Sequence, residues 1–253
     1  MNMKAFSVFG FHHTGKTTLV TKLIKSLSDK GFKVATIKDI HNENYHADTE
    51  GSNSWKHIQA GAVMTFARGL KDTALIFPQR LSLKEMASFL TCDYLIIEGM
   101  REAPVPKILC AETIEQLQEL MDPTVFAVSG KIAAQEILNL QVPVLDAENE
   151  LEDLTRLVLD KVFDLLPDND PACCSACGLT CHQMAAAILK GEKQRSDCQS
   201  DHPQQVTLTI DGKEIVLVPF VQNLLHDVMS AFITNLKDVD PEGNIRLEIT
   251  RHD

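Results

Sequence analysis

The chain has no membrane-length apolar run and no excess of positive charge, and no export leader is expected. No segment of the 253 residues reaches the roughly 20 consecutive apolar residues that a spanning helix needs. Residues 1–9 carry one lysine and too short an apolar stretch for a signal peptide, so a cytoplasmic protein is expected. Lys and Arg number 24 against 35 Asp and Glu. That balance repels nucleic acid and anionic membrane unless a local basic patch intervenes, and none is evident. With 44% hydrophobic and 23% charged residues, disordered and fibrous classes are excluded as well.

What is present starts at the amino-terminal end. An apolar run over residues 5–9 leads into Gly10-Phe11-His12-His13-Thr14-Gly15-Lys16-Thr17, and helical periodicity follows from Thr18 onward. The G-x-x-x-x-G-K-T spacing lets backbone N–H groups curl around phosphate oxygens while the next helix points its positive dipole end at the same anion. Gly10, His13, Thr14, Gly15, Lys16, Thr17 and Thr18 are therefore candidate nucleotide contacts. Lys16 would reach the β and γ phosphates, and the Thr17 hydroxyl would ligate Mg²⁺. A loop histidine is ordinarily a solvated side chain, and that reading stands beside a phosphate contact for His12 and His13.

A second element is Asp93-Tyr94-Leu95-Ile96-Ile97-Glu98-Gly99, an apolar strand ending in a carboxylate and a glycine. At the carboxyl end of a central parallel strand, Glu98 could face the Mg²⁺ or order an attacking water. The other reading of such an acid is a simple cap. Lys16 and Glu98 are the candidate catalytic pair.

Over residues 4–163, β-rich runs alternate with amphipathic stretches, as in a parallel sheet flanked by helices. Strands are expected at 4–9, 33–38, 62–68, 73–77, 93–98, 107–111 and 124–128, and helices at 16–29, 83–90, 114–121 and 151–165. The polar, proline-bearing stretches 166–171 and 199–203 are breaks. They give three expected units: a nucleotide-binding domain over 1–165, a cysteine segment over 171–200 and a small ββαβ module over 204–253. In the last, strand patterns at 206–210 and 214–218 flank Asp211-Gly212, a helix covers 220–236 and a strand covers 244–250. The fold class expected is α/β, a P-loop NTPase with a mostly parallel sheet, carrying a cysteine-rich segment and an α+β carboxyl-terminal module.

Five of the seven cysteines lie between Cys173 and Cys198. Clustering of this kind in an unexported chain argues for metal ligation over disulfides. Cys92 and Cys110, beside apolar runs, read as core residues. Cys174, Cys177 and Cys181 form C-x2-C-G-x2-C, a helix over 182–190 is stopped by Gly191, and Cys198 can return as a fourth thiolate. The segment resembles a short four-cysteine [4Fe-4S] domain of corrinoid and electron-transfer proteins, including the glycine after the second Cys and Ala187-Ile188-x-x-Gly191; Gln199 stands where that domain has proline. A structural Zn²⁺ and unligated thiols are the other readings. Cys173 is a spare that could replace Cys174, and His182 is either a further ligand or solvated. The acidic run 148–153 reads as a solvated helix start.

Over residues 3–165 the chain also resembles the MobB family, the GTP-binding accessory proteins of molybdopterin-guanine dinucleotide biosynthesis. Beyond the P-loop, the resemblance rests on Thr36-Ile37-Lys38 before a polar loop, on Gly51 and Ser54, on His57 with Ala60-Gly61-Ala62, and on Ile97-Glu98-Gly99-Met100 with Pro106-Lys107-Ile108. His41-Asn42-Glu43 stands where the family has two His and an Asp, and Gly51-Ser52-Asn53-Ser54 where it has Gly-Lys-Asp-Ser. The resemblance implies a homodimer that binds GTP with Mg²⁺, hydrolyses it weakly and assists the enzyme joining GMP to molybdopterin. It also implies a metal contact from Asp48, which matches a family Asp. GTP is carried by the resemblance alone, since no Asn-Lys-x-Asp guanine signature is present; Val128-Ser129-Gly130-Lys131 sits where a base-contacting loop is expected. The expected partner is that guanylyltransferase or a molybdo- or tungsto-enzyme; an iron-sulfur electron carrier or redox-sensing adaptor, and a metallocluster-insertion ATPase delivering its cluster to an oxidoreductase, are the competing functions.

Overall fold

The apolar run at the amino-terminal end forms β1 (Lys4–Phe9), with five of its six residues buried. In this computed structural model the described residues are 3–135, 140–169, 174, 177–199, 206, 208–210, 213–215, 217 and 219–236. After β1 come α1 (Lys16–Asp29), β2 (Val34–Lys38), α2 (Asn53–Gln59), β3 (Thr65–Arg68), β4 (Thr73–Ile76), α3 (Leu83–Ser88) and β5 (Tyr94–Glu98). Then follow β6 (Lys107–Cys110), α4 (Ile114–Leu120), β7 (Val125–Ser129), a 3-10 turn (Lys131–Ala134), α5 (Leu151–Lys161) and α6 (Cys181–Leu189). A 3-10 turn (Arg195–Asp197), β8 (Leu208–Ile210), β9 (Lys213–Ile215) and α7 (Pro219–Ile233) complete the described elements.

Five strands form a parallel sheet in the order β2-β5-β1-β6-β7. The period of two sorts its side chains. Phe6, Val8, Tyr94, Ile96 and Ile108 pack with Leu19, Leu23 and Leu27 of α1 and Leu154 and Val158 of α5. On the other face, Ala5, Leu95 and Ile97 meet Leu83 and Ala87 of α3, while Leu109 and Val128 meet Leu117 and Leu120 of α4. Both faces of the central strands are covered, which is why they read as continuous apolar runs. The strands that follow β1 in sequence lie on both sides of it, so the crevice beyond its carboxyl end is the place for a ligand.

Three expectations change. The β-rich runs near residue 65 and residue 75 pair with each other as an antiparallel hairpin, Thr65↔Ile76 to Arg68↔Thr73, and stand apart from the parallel sheet. The first of these strands starts three residues later than the expected residue 62, because Gly61 (φ 106°) turns the chain out of α2. Helix α5 stops at Lys161, short of residue 165, because the chain turns extended at Val162. Ala5 then donates to the Phe163 carbonyl and Leu165 donates to that of Met3, so this segment satisfies the start of β1. The expected strand over 244–250 lies outside the described residues.

The chain divides into two compact units, Met1–Asp168 with Cys181–Arg195, and Asn169–Thr180 with Ser196–Asp253. Helix α6 thus belongs to the unit that holds the parallel sheet. Its His182 Nε2 lies 3.3 Å from Nζ of Lys107, a lysine with no exposed side-chain surface that also pairs with Asp122 Oδ2 at 3.2 Å. Met184 and Ala185 of the same helix are buried. In the second unit β8 and β9 form an antiparallel hairpin, and α7 exposes Leu224, Val228 and Phe232 at helical spacing. Among the described residues no helix is long and apolar enough to cross a membrane.

Candidate functional site

The loop between β1 and α1 is shaped by two glycines and by the strands beside it. Gly10 (φ 147°) lies so close to β6 that a Cβ there would stand 1.9 Å from the Cys110 carbonyl oxygen. Gly15 (φ 100°) occupies the cap position of α1 without a side-chain hydrogen bond, and the first turn of α1 holds no acid. The first N–H groups of a 14-residue helix therefore face the loop without a side-chain cap, the arrangement that receives a phosphate. His13 adopts φ 62° within this loop. Thr14 Oγ1 donates to the Phe11 carbonyl at 2.9 Å, and the Lys16 ammonium donates to the same oxygen. Burial pushes Lys16 below its ordinary pKa.

Across the crevice stands the end of β5. Thr17 Oγ1 donates to Glu98 Oε1 at 2.8 Å, and Lys38 Nζ, from the end of β2, donates to the same oxygen at 2.6 Å. Burial alone would raise the Glu98 pKa, but the hydrogen bonds from Lys38 and Thr17 and the charges of Lys38 and Lys16 outweigh it and hold the carboxyl below its ordinary value. Gly99 (φ 98°) and Met100 (φ 52°) turn the chain over β1, where Gly99 donates to the Val8 carbonyl and Ser7 Oγ donates to that of Gly99 at 2.6 Å.

These residues line one cleft of about 1240 Å³. It is larger than the ~300–1,000 Å³ usual for small ligands, which leaves room for a hydrated nucleotide. Gly10, His13, Gly15, Lys16, Thr17, Thr18 and Glu98 all line it, while Thr14 lies buried beneath the loop. The hard-oxygen pair of Thr17 and Glu98 fits Mg²⁺, which keeps several waters and shares its shell with phosphate rather than needing a full protein cage.

Asp48 is absent from the cleft lining. Its Oδ1 accepts from Thr49 N at 2.8 Å and from Ser52 Oγ at 3.0 Å, beside the start of α2. The hydrogen bond from Ser54 leads the influences that hold its carboxyl below the ordinary value. Sequence reasoning gave Lys38 no role, and it missed Asp39, whose Oδ1 accepts from Arg80 at 3.3 Å while Oδ2 lies 3.0 Å from His41 Nε2. The far wall of the cleft was anticipated only at 128–131. Ser129, Gly130 and Lys131 do line it, joined by Asp146, Ala147 and Glu148. Gly130 is fixed by contact, since a Cβ there would stand 2.3 Å from the Thr14 carbonyl oxygen. No local pattern announces this approach.

Among the described residues, no group of three or more His, Cys, Asp or Glu side chains is placed to hold a metal ion. Of the expected cluster ligands, Cys181 belongs to the sheet-bearing unit and Cys174, Cys177 and Cys198 to the second unit. Cys177 Sγ donates to the Leu179 carbonyl, Cys181 opens α6 and Cys198 is buried. Cys173 lies outside the described residues. His182 contacts Lys107 from α6. Cys110 is a core residue whose thiol is pushed by burial up to about 12, and half-buried Cys92 packs beside Met3 with Sγ to Sδ at 3.1 Å.

Comparison with known proteins agrees with this geometry. The family model described as molybdopterin guanine dinucleotide synthesis protein B matches residues 5–131. A Methanocaldococcus jannaschii protein, provisionally named a molybdopterin-guanine dinucleotide biosynthesis adapter, is 29% identical over 251 residues, covering 98% of this chain and 97% of the relative. The Escherichia coli molybdopterin-guanine dinucleotide biosynthesis adapter protein is 30% identical over 159 residues, or 58% of this chain and 86% of that protein. The crystal structure of Bacillus subtilis MobB aligns with a TM-score of 0.53 at 26% identity, covering 62% of this chain and 97% of that one. With its P-loop cradle, parallel sheet and matched motif series, the chain belongs to the MobB family.

Proposed function

We propose that this protein binds GTP with Mg²⁺, hydrolyses it slowly and serves as a cytoplasmic adapter in molybdopterin-guanine dinucleotide biosynthesis. The observation that carries the reading is the Thr17–Glu98 contact at the open start of α1. Backbone N–H groups and Lys16 would hold the phosphates, and Thr17 and Glu98 would hold Mg²⁺, which supplies charge neutralisation on the phosphate oxygens. Glu98 would also orient water at the terminal phosphate. Residues 129–131 and 146–148 would flank the base. Support for the pathway comes from the relatives' names. The partner is the guanylyltransferase that joins GMP to molybdopterin, or a molybdo- or tungsto-enzyme receiving the product. The working form is a homodimer, with residues 1–165 as the nucleotide domain and 204–253 as an accessory module.

The cysteine segment, residues 171–200, is assigned a [4Fe-4S] cluster on its C-x2-C-G-x2-C spacing, with Zn²⁺ as the other occupant. Anaerobic purification followed by iron, sulfide and zinc analysis, with GTP and ATP competing on the same sample, tests both parts. Saturable binding that favours GTP, together with stoichiometric iron and sulfide, is expected. A preference for ATP would favour a cluster-insertion ATPase. Iron without any nucleotide binding would favour an electron carrier.

A further inference from the structure

Glu98 Oε1 has two suitors. Thr17 and Lys38 both donate to it, and Lys38 and Glu98 are register partners on adjacent parallel strands, so their side chains leave the same face at the carboxyl edge of the sheet. The carboxylate is fixed, with 12% of its side chain exposed, while the lysine is 56% exposed on a flexible stem. Lys38 lines the same cleft as Lys16 and Thr17. The oxygen it holds is the one that, with Thr17, suits a divalent cation.

An ammonium and a divalent cation at contact with one carboxylate oxygen repel each other, and the repulsion grows as the site dries. We propose that Lys38 is a resident counter-ion of Glu98 that the divalent cation displaces, and that the displaced ammonium becomes a second cationic ligand, beside Lys16, for the terminal phosphate of a nucleoside triphosphate. This rests on the nucleotide-binding reading. Displacement repels Lys38 from the metal, and a phosphate chain held in the cleft that Lys38 lines would offer the ammonium a new anionic partner. The two roles have opposite signs. Lys38 hinders metal entry and favours the metal-loaded triphosphate complex, so charge at Glu98 stays balanced in both arrangements. A diphosphate would not engage Lys38 in this way.

The test uses the full chain as wild type, Lys38→Met and Lys16→Ala. Calorimetry gives affinities for GDP and for the non-hydrolysable triphosphate GMP-PNP across a Mg²⁺ series, and electron paramagnetic resonance gives Mn²⁺ binding without nucleotide. Lys38→Met should reach its half-maximal metal effect at roughly tenfold lower Mg²⁺ and bind Mn²⁺ alone more tightly, as expected on removing a competing charge at contact. It should also lose roughly tenfold in GMP-PNP affinity with GDP nearly unchanged, the size of one charge-assisted hydrogen bond. An unchanged or higher metal requirement, or equal losses for GDP and GMP-PNP, would overturn the proposal. Lys16→Ala should lose both nucleotides. If wild type binds neither nucleotide, the functional reading fails on its own. The Mn²⁺ measurement then still decides the competition at Glu98, and equal Mn²⁺ affinity in wild type and Lys38→Met would sink it.

Discussion

At the scale of single residues, glycine positions separate what sequence can reveal from what it cannot. Gly10 and Gly15 were legible because their spacing to Lys16 follows from the geometry of a phosphate-wrapping loop. Gly130 was not, because its constraint is a carbonyl from a different loop, Thr14 O, reached only after the sheet has formed. Gly130→Ala should destabilise the protein by about 1–3 kcal/mol through overpacking and backbone strain. Because the loop it presses on is the phosphate cradle, nucleotide affinity should fall further than stability alone explains. Denaturant midpoints and nucleotide titration on the same variant would separate the two effects. Lys107 was legible as part of a motif, but its burial was not, since a lysine after proline at a strand start looks ready for solvent. Asp122→Ala should cost about 3–5 kcal/mol, because it strands that ammonium without its carboxylate. Burial favours the neutral acid of Asp122, but hydrogen bonds from Thr124 and the charge of Lys107 win, so its folded pKa lies below the ordinary value. The sign follows from linkage: the stabilisation from Asp122 is complete above the unfolded carboxyl pKa and disappears as pH falls through the folded one. The gap in unfolding free energy between wild type and Asp122→Asn should therefore be flat near neutrality and close in acid.

Among the elements, the parallel strands and α1 were readable because burial on both faces leaves continuous apolar runs, and α1 keeps a clean helical period beside them. Helix α2 escaped notice. Its seven residues bury none of their side chains, so hydrophobic periodicity has nothing to mark; the available signal was the cap, Ser52 Oγ accepting from Trp55 N at 3.0 Å. Ser52→Ala should cost about 1 kcal/mol. It should also loosen Asp48, which shares that hydroxyl, and amide exchange across 48–58 would rise while exchange in α1 stays unchanged. The β3–β4 hairpin was read as two strands without its partners, because pairing is a non-local choice that strand propensity does not encode. The same limit hid the Lys38–Glu98 pair: both residues end a β-rich run, but only the order β2-β5-β1 places them side by side.

For the molecule as a whole, the division of labour follows from where charge and thiols lie. The sheet-bearing unit contains the phosphate cradle, its cationic side chains and α6, which His182 and Met184 tie to that unit. Cys181 therefore begins a helix packed within the nucleotide-binding unit, a placement that composition alone could not give. The match to the Methanocaldococcus jannaschii relative extends over 98% of this chain, well past residues 5–131 that the family model matches. The central claim is that the Gly10–Thr18 loop holds a nucleotide phosphate chain. Its most direct test is isothermal titration of GTP with Mg²⁺ into the anaerobically prepared full chain and, in parallel, into Lys16→Ala. One saturable site per chain, lost or weakened at least roughly tenfold in the variant, is the expected result; no saturable heat in wild type, or equal affinity in the two proteins, would contradict it.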